Sequence, residues 1–313
     1  MTGKINLARL GAVKREIAHA RDALFSRWDA VCFPSVFNAI LSPSSACQQL
    51  NRLIMAGAPV AVARMGRTEA RILGEWNYAN KHFSSKSLKQ AHVNAGIFPV
   101  EASQLSSFAS IYWQGLQQLD LLAFWPTEYQ AKLVNDLAHR PALIDRVALE
   151  PFFSPQPWTS QLQGKKVLVV HPFKDSILKQ YYTVREKLFP GKSVLPSFDL
   201  QVIRAPQCSG GATAGYGSWL EAFYHLEEQV KRATFDVAIV GCGAFGLPLV
   251  GSIKKMGRMG IHMAGSTQLL FGIKGQRWID DPSYQSLWND HWVRPMGSEL
   301  LPTRDLIEDA CYW

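Results

Sequence analysis

Short apolar runs alternate along this chain with longer segments whose apolar residues recur at helical spacing. Pro59-Val60-Ala61-Val62-Ala63-Arg64, Lys166-Val167-Leu168-Val169-Val170, Asp199-Leu200-Gln201-Val202-Ile203, Asp236-Val237-Ala238-Ile239-Val240 and Gly260-Ile261-His262-Met263 have strand length and β-branched content. They predict strands of a parallel sheet buried on both faces. Helical spacing predicts helices over about 46–55, after Glu69 through Leu73, and over 176–189, 218–232 and 247–256. Ser85 to Arg140 reads as mostly helical with a break at Asn94 to Pro99, and Pro151 to Gly164 as a connector. Serines 42, 44 and 45 are cap candidates for the helix after them, and Asp175 for the helix at Ser176.

Strands alternating with helices define an α/β, Rossmann-like parallel sheet with helices on both faces and ligands at the carboxyl ends of the strands. The expected organisation is an N-terminal helical extension over 1–56, the Rossmann-like domain over 57–278, and a C-terminal tail over 279–313 packed on it. Within the extension, Met1 to Arg27 reads as a basic amphipathic helix. The loops at the strand ends, Arg64 to Glu69, His171 to Asp175, Gly241 to Gly246 and His262 to Gln268, are where chemistry is expected.

Composition narrows the function classes. The 313 residues are 47% hydrophobic and 19% charged, which fits a folded domain and excludes a disordered chain. The formal net charge of +8 favours an anionic partner, but the cations are dispersed and no block suited to nucleic acid occurs. Five cysteines without a C-x-x-C pair read as reduced thiols in a cytoplasmic protein. No apolar run approaches the roughly 20 residues of a membrane span, so bilayer contact is expected to be peripheral, on the inner membrane face.

Gly241-Cys242-Gly243-Ala244-Phe245-Gly246 has the form of a phosphate-binding turn between a strand and a helix. The dinucleotide version also needs an acid about 20 positions on, and that place holds His262. An NAD(P)-dependent oxidoreductase using this loop is therefore the alternative rather than the first reading. His171 and Lys174 stand where an imidazole and an ammonium could meet a phosphate or an acceptor hydroxyl. Gly265, Thr267 and Gln268 add a small loop with amide and hydroxyl donors. Trp288 and Trp292 read as tethers of the tail, and Asp280 and Asp281 as turn residues.

The segment Val62-Ala63-Arg64-Met65-Gly66-Arg67-Thr68-Glu69, with Gly241 to Leu249 and Ile261-His262-Met263-Ala264-Gly265, resembles the GT-D-type bacterial glycosyltransferases, first grouped as a domain of unknown function. The resemblance spans roughly Pro59 to Lys274. It implies transfer of a sugar from a nucleotide-sugar donor, UDP-linked, to a polysaccharide or glycan hydroxyl, with polysaccharide-assembly proteins as partners. In that family an Asp-x-Glu pair holds a divalent metal on the donor diphosphate; here the Glu is Glu69 and the Asp is replaced by Arg67. The resemblance thus implies Mn²⁺ or Mg²⁺ held through Glu69, or a diphosphate held directly by Arg64, Arg67 and Lys174. Gly66, Gly241, Gly243, Gly246, Gly265 and Gln268 complete the expected donor site, and His171 and His262 are the candidate bases beside Glu69. A non-catalytic nucleotide-sugar-binding protein is the further alternative, because it would account for the altered Asp-x-Glu.

Overall fold

The computed structural model describes residues 24, 26–307 and 310–313, so the helix expected over Met1 to Arg27 lies almost wholly outside the described residues. The sheet has seven parallel strands, β1 (Ala61–Arg64), β2 (Leu121–Phe124), β3 (Ala142–Asp145), β4 (Lys166–His171), β5 (Asp199–Arg204), β6 (Val237–Val240) and β7 (Met259–His262). Their order across the sheet is β3-β2-β1-β7-β6-β4-β5. This is the Rossmann-like α/β architecture that the alternating pattern predicts.

Each strand sends alternate residues to two separate cores. Ala61 and Ala63, Leu168 and Val170, and Ala238 and Val240 face one; Val62, Val167 and Val169, and Val237 and Ile239 face the other. The first core is covered by α2 (Arg67–Tyr78), α4 (Ala102–Leu116), α5 (Gln130–Asn135), α7 (Trp219–Arg232) and α8 (Gly246–Lys255). The second is covered by α1 (Pro43–Ala56), α6 (Lys174–Leu188), α9 (Ser266–Leu270) and much of the tail. Connections running toward β3 lie on the first face and those running toward β5 on the second, as a single crossover hand requires. The chain leaves β4 and β6 toward opposite faces, so a crevice opens between their carboxyl ends.

Local chemistry explains the element boundaries. Ser42 caps α1 by accepting the Ser45 N–H at 3.3 Å, and Gly57 ends it in the left-handed region at φ 63°. Ser218 caps α7 and Ser84 caps α3 (Ser85–Val93), whose first turn is also tied to the buried Glu75 carboxylate. Gly115 on α4 and Gly251 on α8 let the helices touch: a Cβ on Gly251 would lie 2.9 Å from the Gly115 Cα.

Two expectations need correction and one gains detail. The strand β2 lies inside the stretch predicted to be helical, and β3 follows it unannounced; each has only four residues, three or four of them apolar, too few for periodicity to separate a strand from a buried helix turn. The Pro151 to Gly164 connector contains two 3₁₀ turns that bury Phe152 and Trp158 in the second core. Asp175 does not cap α6. It lies in the first turn, paired with Arg204 at 2.5 Å, while the buried tail residue Glu299 accepts from the N–H groups of Asp175 at 2.7 Å and Ser176 at 3.3 Å.

That carboxylate also accepts the Ser176 hydroxyl and anchors the tail where α6 starts. At the other end of α6, Asn289 donates to the carbonyls of Lys187 and Leu188, and Trp292 packs on Trp288 and Phe189 at ring separations of 4.9 and 5.5 Å. The two tryptophans therefore tether the tail. Asp281 accepts from Ser283 N–H at 2.9 Å and starts a 3₁₀ turn, which agrees with the turn reading.

Candidate functional site

At the end of β1 the chain passes through Arg64, the buried Met65 and Gly66 into α2 without a side-chain cap on Gly66. Glu69 occupies the third helical position, where a capping-box carboxylate turns back toward the helix start. It does so here: a Cβ on Gly66 would lie 2.1 Å from Glu69 Oε2. Gly66 is therefore required by its own helix, before any ligand is considered. The Tyr112 phenol lies beside Glu69 and Gly66, and burial together with the Glu69 charge raises its pKa far above the ordinary value.

The loop after β2 brings in a residue that the sequence reading missed. The Trp125 N–H donates to the buried Gln130 side chain at 2.8 Å, and Glu128 pairs with Arg71 at 2.9 Å, which fixes the turn. The Trp125 indole lies near three guanidinium carbons: Arg64 at 5.9 Å, Arg67 at 5.3 Å and Arg146, from the loop after β3, at 5.5 Å. Each contact is worth about 0.5–1 kcal/mol at an exposed position. The ring thus holds like charges together at the ends of three adjacent strands.

A fourth guanidinium, Arg277, lies over the Tyr312 ring at 4.9 Å, close enough to Arg64 to add to the effects lowering its pKa. Burial is the main cause of that lowering, and Glu150 at 4.0 Å opposes it. Glu150 is itself buried and accepts the Tyr284 hydroxyl at 2.8 Å; burial raises its pKa from the ordinary value, with that hydrogen bond, Arg64 and Arg146 acting against the shift. Guanidinium forks offer planar sets of N–H donors whose spacing matches the oxygens of a phosphate, and here one of them is anchored from below by a carboxylate.

The donor set does not fit a divalent cation. Glu69 is the one carboxylate of this loop, it folds back on Gly66, and Arg67 occupies the position of the missing acid. A hard cation needs several oxygen ligands, and guanidinium groups at the same place would repel it. Among the described residues, no group of three or more His, Cys, Asp and Glu side chains converges.

The β4/β6 crevice brings together His171, Gly241, Gly243, Gly265 and Gln268, while Lys174, Gly246 and His262 do not border it. It is a cavity of about 120 Å³ bordered by His171, Gly241 to Phe245, Cys208, Gly265 and Gln268, and the tail residues Tyr312 and Trp313 lie across it. The three loop glycines have different causes. A Cβ on Gly241 would lie 2.6 Å from the Thr267 side chain, and one on Gly246 would lie 2.0 Å from the His262 ring. Only Gly243, at φ 56°, is demanded by the backbone, and a Cβ there would meet open space. Phe245 stacks on Trp219 at 4.9 Å and ties the turn to the core. Gln268 donates to the carbonyls of Ile273 and Tyr312, and a Cβ on Gly265 would lie 2.7 Å from the Tyr312 ring, so both hold the tail.

His171 and His262 are both buried. The His171 Nδ1 accepts the Phe173 N–H at 3.0 Å, so its neutral ring carries the proton on Nε2; the His262 Nδ1 faces the Val240 carbonyl at 3.0 Å. Burial lowers their pKa values to about 3 and about 4. Both are neutral at pH 7 and weak as bases. Because the folded values lie below the unfolded value near 6.5, the unfolded chain takes up protons first. Stability contributed by the neutral rings is full above about pH 6.5 and is lost as the pH falls toward 4 and then 3. Denaturant titrations at pH 7.5 and 5 should show a loss of about 2 kcal/mol per ring, and His262→Gln should remove its share. The raised pKa of Glu150 acts in the opposite sense, so the difference between wild type and variant isolates the histidine effect.

The two groups are separated by the sheet itself. From β1 to β4 is three strand spacings, on the order of 14 Å, so Lys174 and His171 do not join Arg64 and Arg67. Tyr312 bridges them, touching Arg277 on one side and the crevice on the other. A larger open groove of about 640 Å³, near Ser160, Arg185 and Lys192, lies before β4 and β5, away from all these residues. Among the described residues no helix is long and apolar enough to cross a membrane. No protein-family model, curated protein or solved structure matches the chain.

Proposed function

We propose that this chain is a glycosyltransferase that moves a sugar from a nucleotide-diphosphate donor, UDP-linked, to a polysaccharide or glycan hydroxyl, in the cytoplasm at the inner face of a membrane. The observation that carries the reading is the convergence of Arg64, Arg67, Arg146 and Arg277 around Trp125 and Tyr312 at the carboxyl ends of the strands. Such a receptor matches a diphosphate in charge and geometry, and it acts most strongly on the charge that grows as the sugar leaves. Arginine takes the role that the resemblance gives to a metal. With both imidazoles weak bases, the acceptor proton goes to an oxygen of the departing diphosphate.

Thermal melting with UDP, UDP-sugars and NAD, each with Mn²⁺ and with chelator, tests the reading. UDP and its sugars should raise the midpoint equally in both conditions, NAD should not, and Glu69→Gln should leave the UDP shift intact. A shift with NAD alone would restore the oxidoreductase alternative; a UDP shift that needs Mn²⁺ and Glu69 would return the diphosphate to a metal. The weak bases also favour a second reading, a non-catalytic nucleotide-sugar-binding protein. UDP-sugar binding without turnover across glycan acceptors would select it.

A further inference from the structure

The first described helical segment, residues 26–32, is half-buried along Ser26, Asp29 and Ala30, and Phe33 just after it packs on the first core. Its opposite stripe is exposed. Leu24, Trp28 and Val31 follow the i, i+4, i+7 spacing of one helix face and are 69%, 70% and 77% exposed. Arg27, also exposed, flanks them. The sequence around this stripe is cationic, with six Lys or Arg against three Asp or Glu in residues 1–32, in a chain of net charge +8.

From this arrangement we infer that the face carrying Leu24, Trp28 and Val31 docks the protein on an anionic lipid bilayer. The inference rests on the inner-membrane part of the proposed function and names its surface, independently of the nucleotide site. An indole beside aliphatic side chains suits the interface between headgroups and acyl chains, where its polar edge stays wet. A flanking guanidinium reaches headgroup phosphates while its stem stays among apolar neighbours. A second copy of the chain is disfavoured as the occupant, because residues 1–32 carry twice as many cations as acids and a self-complementary contact would set that excess against itself.

Sedimentation of the full chain with vesicles of phosphatidylcholine, with and without phosphatidylglycerol, tests this. Binding should require phosphatidylglycerol and weaken with salt. Trp28→Ala with Val31→Ser should reduce it at least about tenfold, and Arg27→Glu about tenfold. The UDP melting shift of these variants should equal that of the wild type, which shows that they fold and separates this test from that of the nucleotide site. Absence of vesicle binding by the wild type, equal binding to neutral vesicles, or undiminished binding by the Trp28 and Val31 variant would overturn the inference. A dimer dissolved by that variant, without vesicle binding, would assign the face to a second copy instead.

Discussion

Gly246→Ala should destabilise the fold by about 3 kcal/mol, although alanine is the better helix former by about 1 kcal/mol. The added methyl would lie 2.0 Å from one ring carbon of His262 and 2.1 Å from its Nδ1. The ring is buried and faces the Val240 carbonyl, so it cannot swing aside cheaply. His262→Ala in the same chain should return a large part of the loss, because the methyl then occupies space vacated by the ring. The Val240 carbonyl keeps the Met263 N–H at 3.0 Å and the Thr267 hydroxyl at 3.3 Å. A double-mutant cycle by denaturant titration should therefore show a coupling above about 1 kcal/mol. Additive losses would mean that Gly246 serves something other than the imidazole, with a close-approaching phosphate the leading alternative.

Arg64→Ala should have the largest effect on binding. It removes a mostly buried guanidinium, 15% exposed, that contacts Trp125 and stands 4.0 Å from Glu150. Charge-assisted bonds to phosphate are worth about 1.5–3 kcal/mol each, so affinity for UDP should fall about tenfold to a hundredfold. Glu150 then loses its 4.0 Å ion pair but keeps the Tyr284 hydroxyl at 2.8 Å, so some loss of stability should accompany the loss of affinity. Arg146→Ala is a gentler companion, because Arg146 is exposed; it should cost about tenfold in UDP affinity with the stability almost unchanged. Loss of stability in Arg64→Ala with unchanged UDP affinity would make the cluster a purely structural network.

The parallel sheet was legible because β1, β4, β5, β6 and β7 are apolar runs placed between helices with clear spacing. The strands β2 and β3 were not, because Leu121–Phe124 and Ala142–Asp145 are four residues each and carry no period of their own. Missing them hid Trp125, Arg146 and Glu150, which lie on the loops directly after those strands. Arg277 and Tyr312 were hidden for a different reason: only the return of the tail across the strand ends brings them to Arg64. The arginines of the β1 loop, by contrast, were visible from their position at a strand end.

The Gly-rich turn carries the opposite lesson. A glycine signals that something comes close to the backbone, and the sequence cannot say what. For Gly241 the neighbours are Thr267 and His171, for Gly246 it is His262, and for Gly66 it is Glu69. All are parts of the protein. The resemblance between this turn and a phosphate loop thus arises in large part from packing, and the charge that suits a diphosphate lies elsewhere, on the arginines around Trp125, which is three strands away across the sheet.

Calorimetric titration of the full chain with UDP and with uridine, side by side in chelator, measures the diphosphate's own contribution without a metal. UDP should bind at least about a hundredfold more tightly than uridine, as two or more charge-assisted phosphate contacts require. Equal affinities, or no binding of UDP until Mn²⁺ is supplied, would contradict a diphosphate held by the arginines around Trp125.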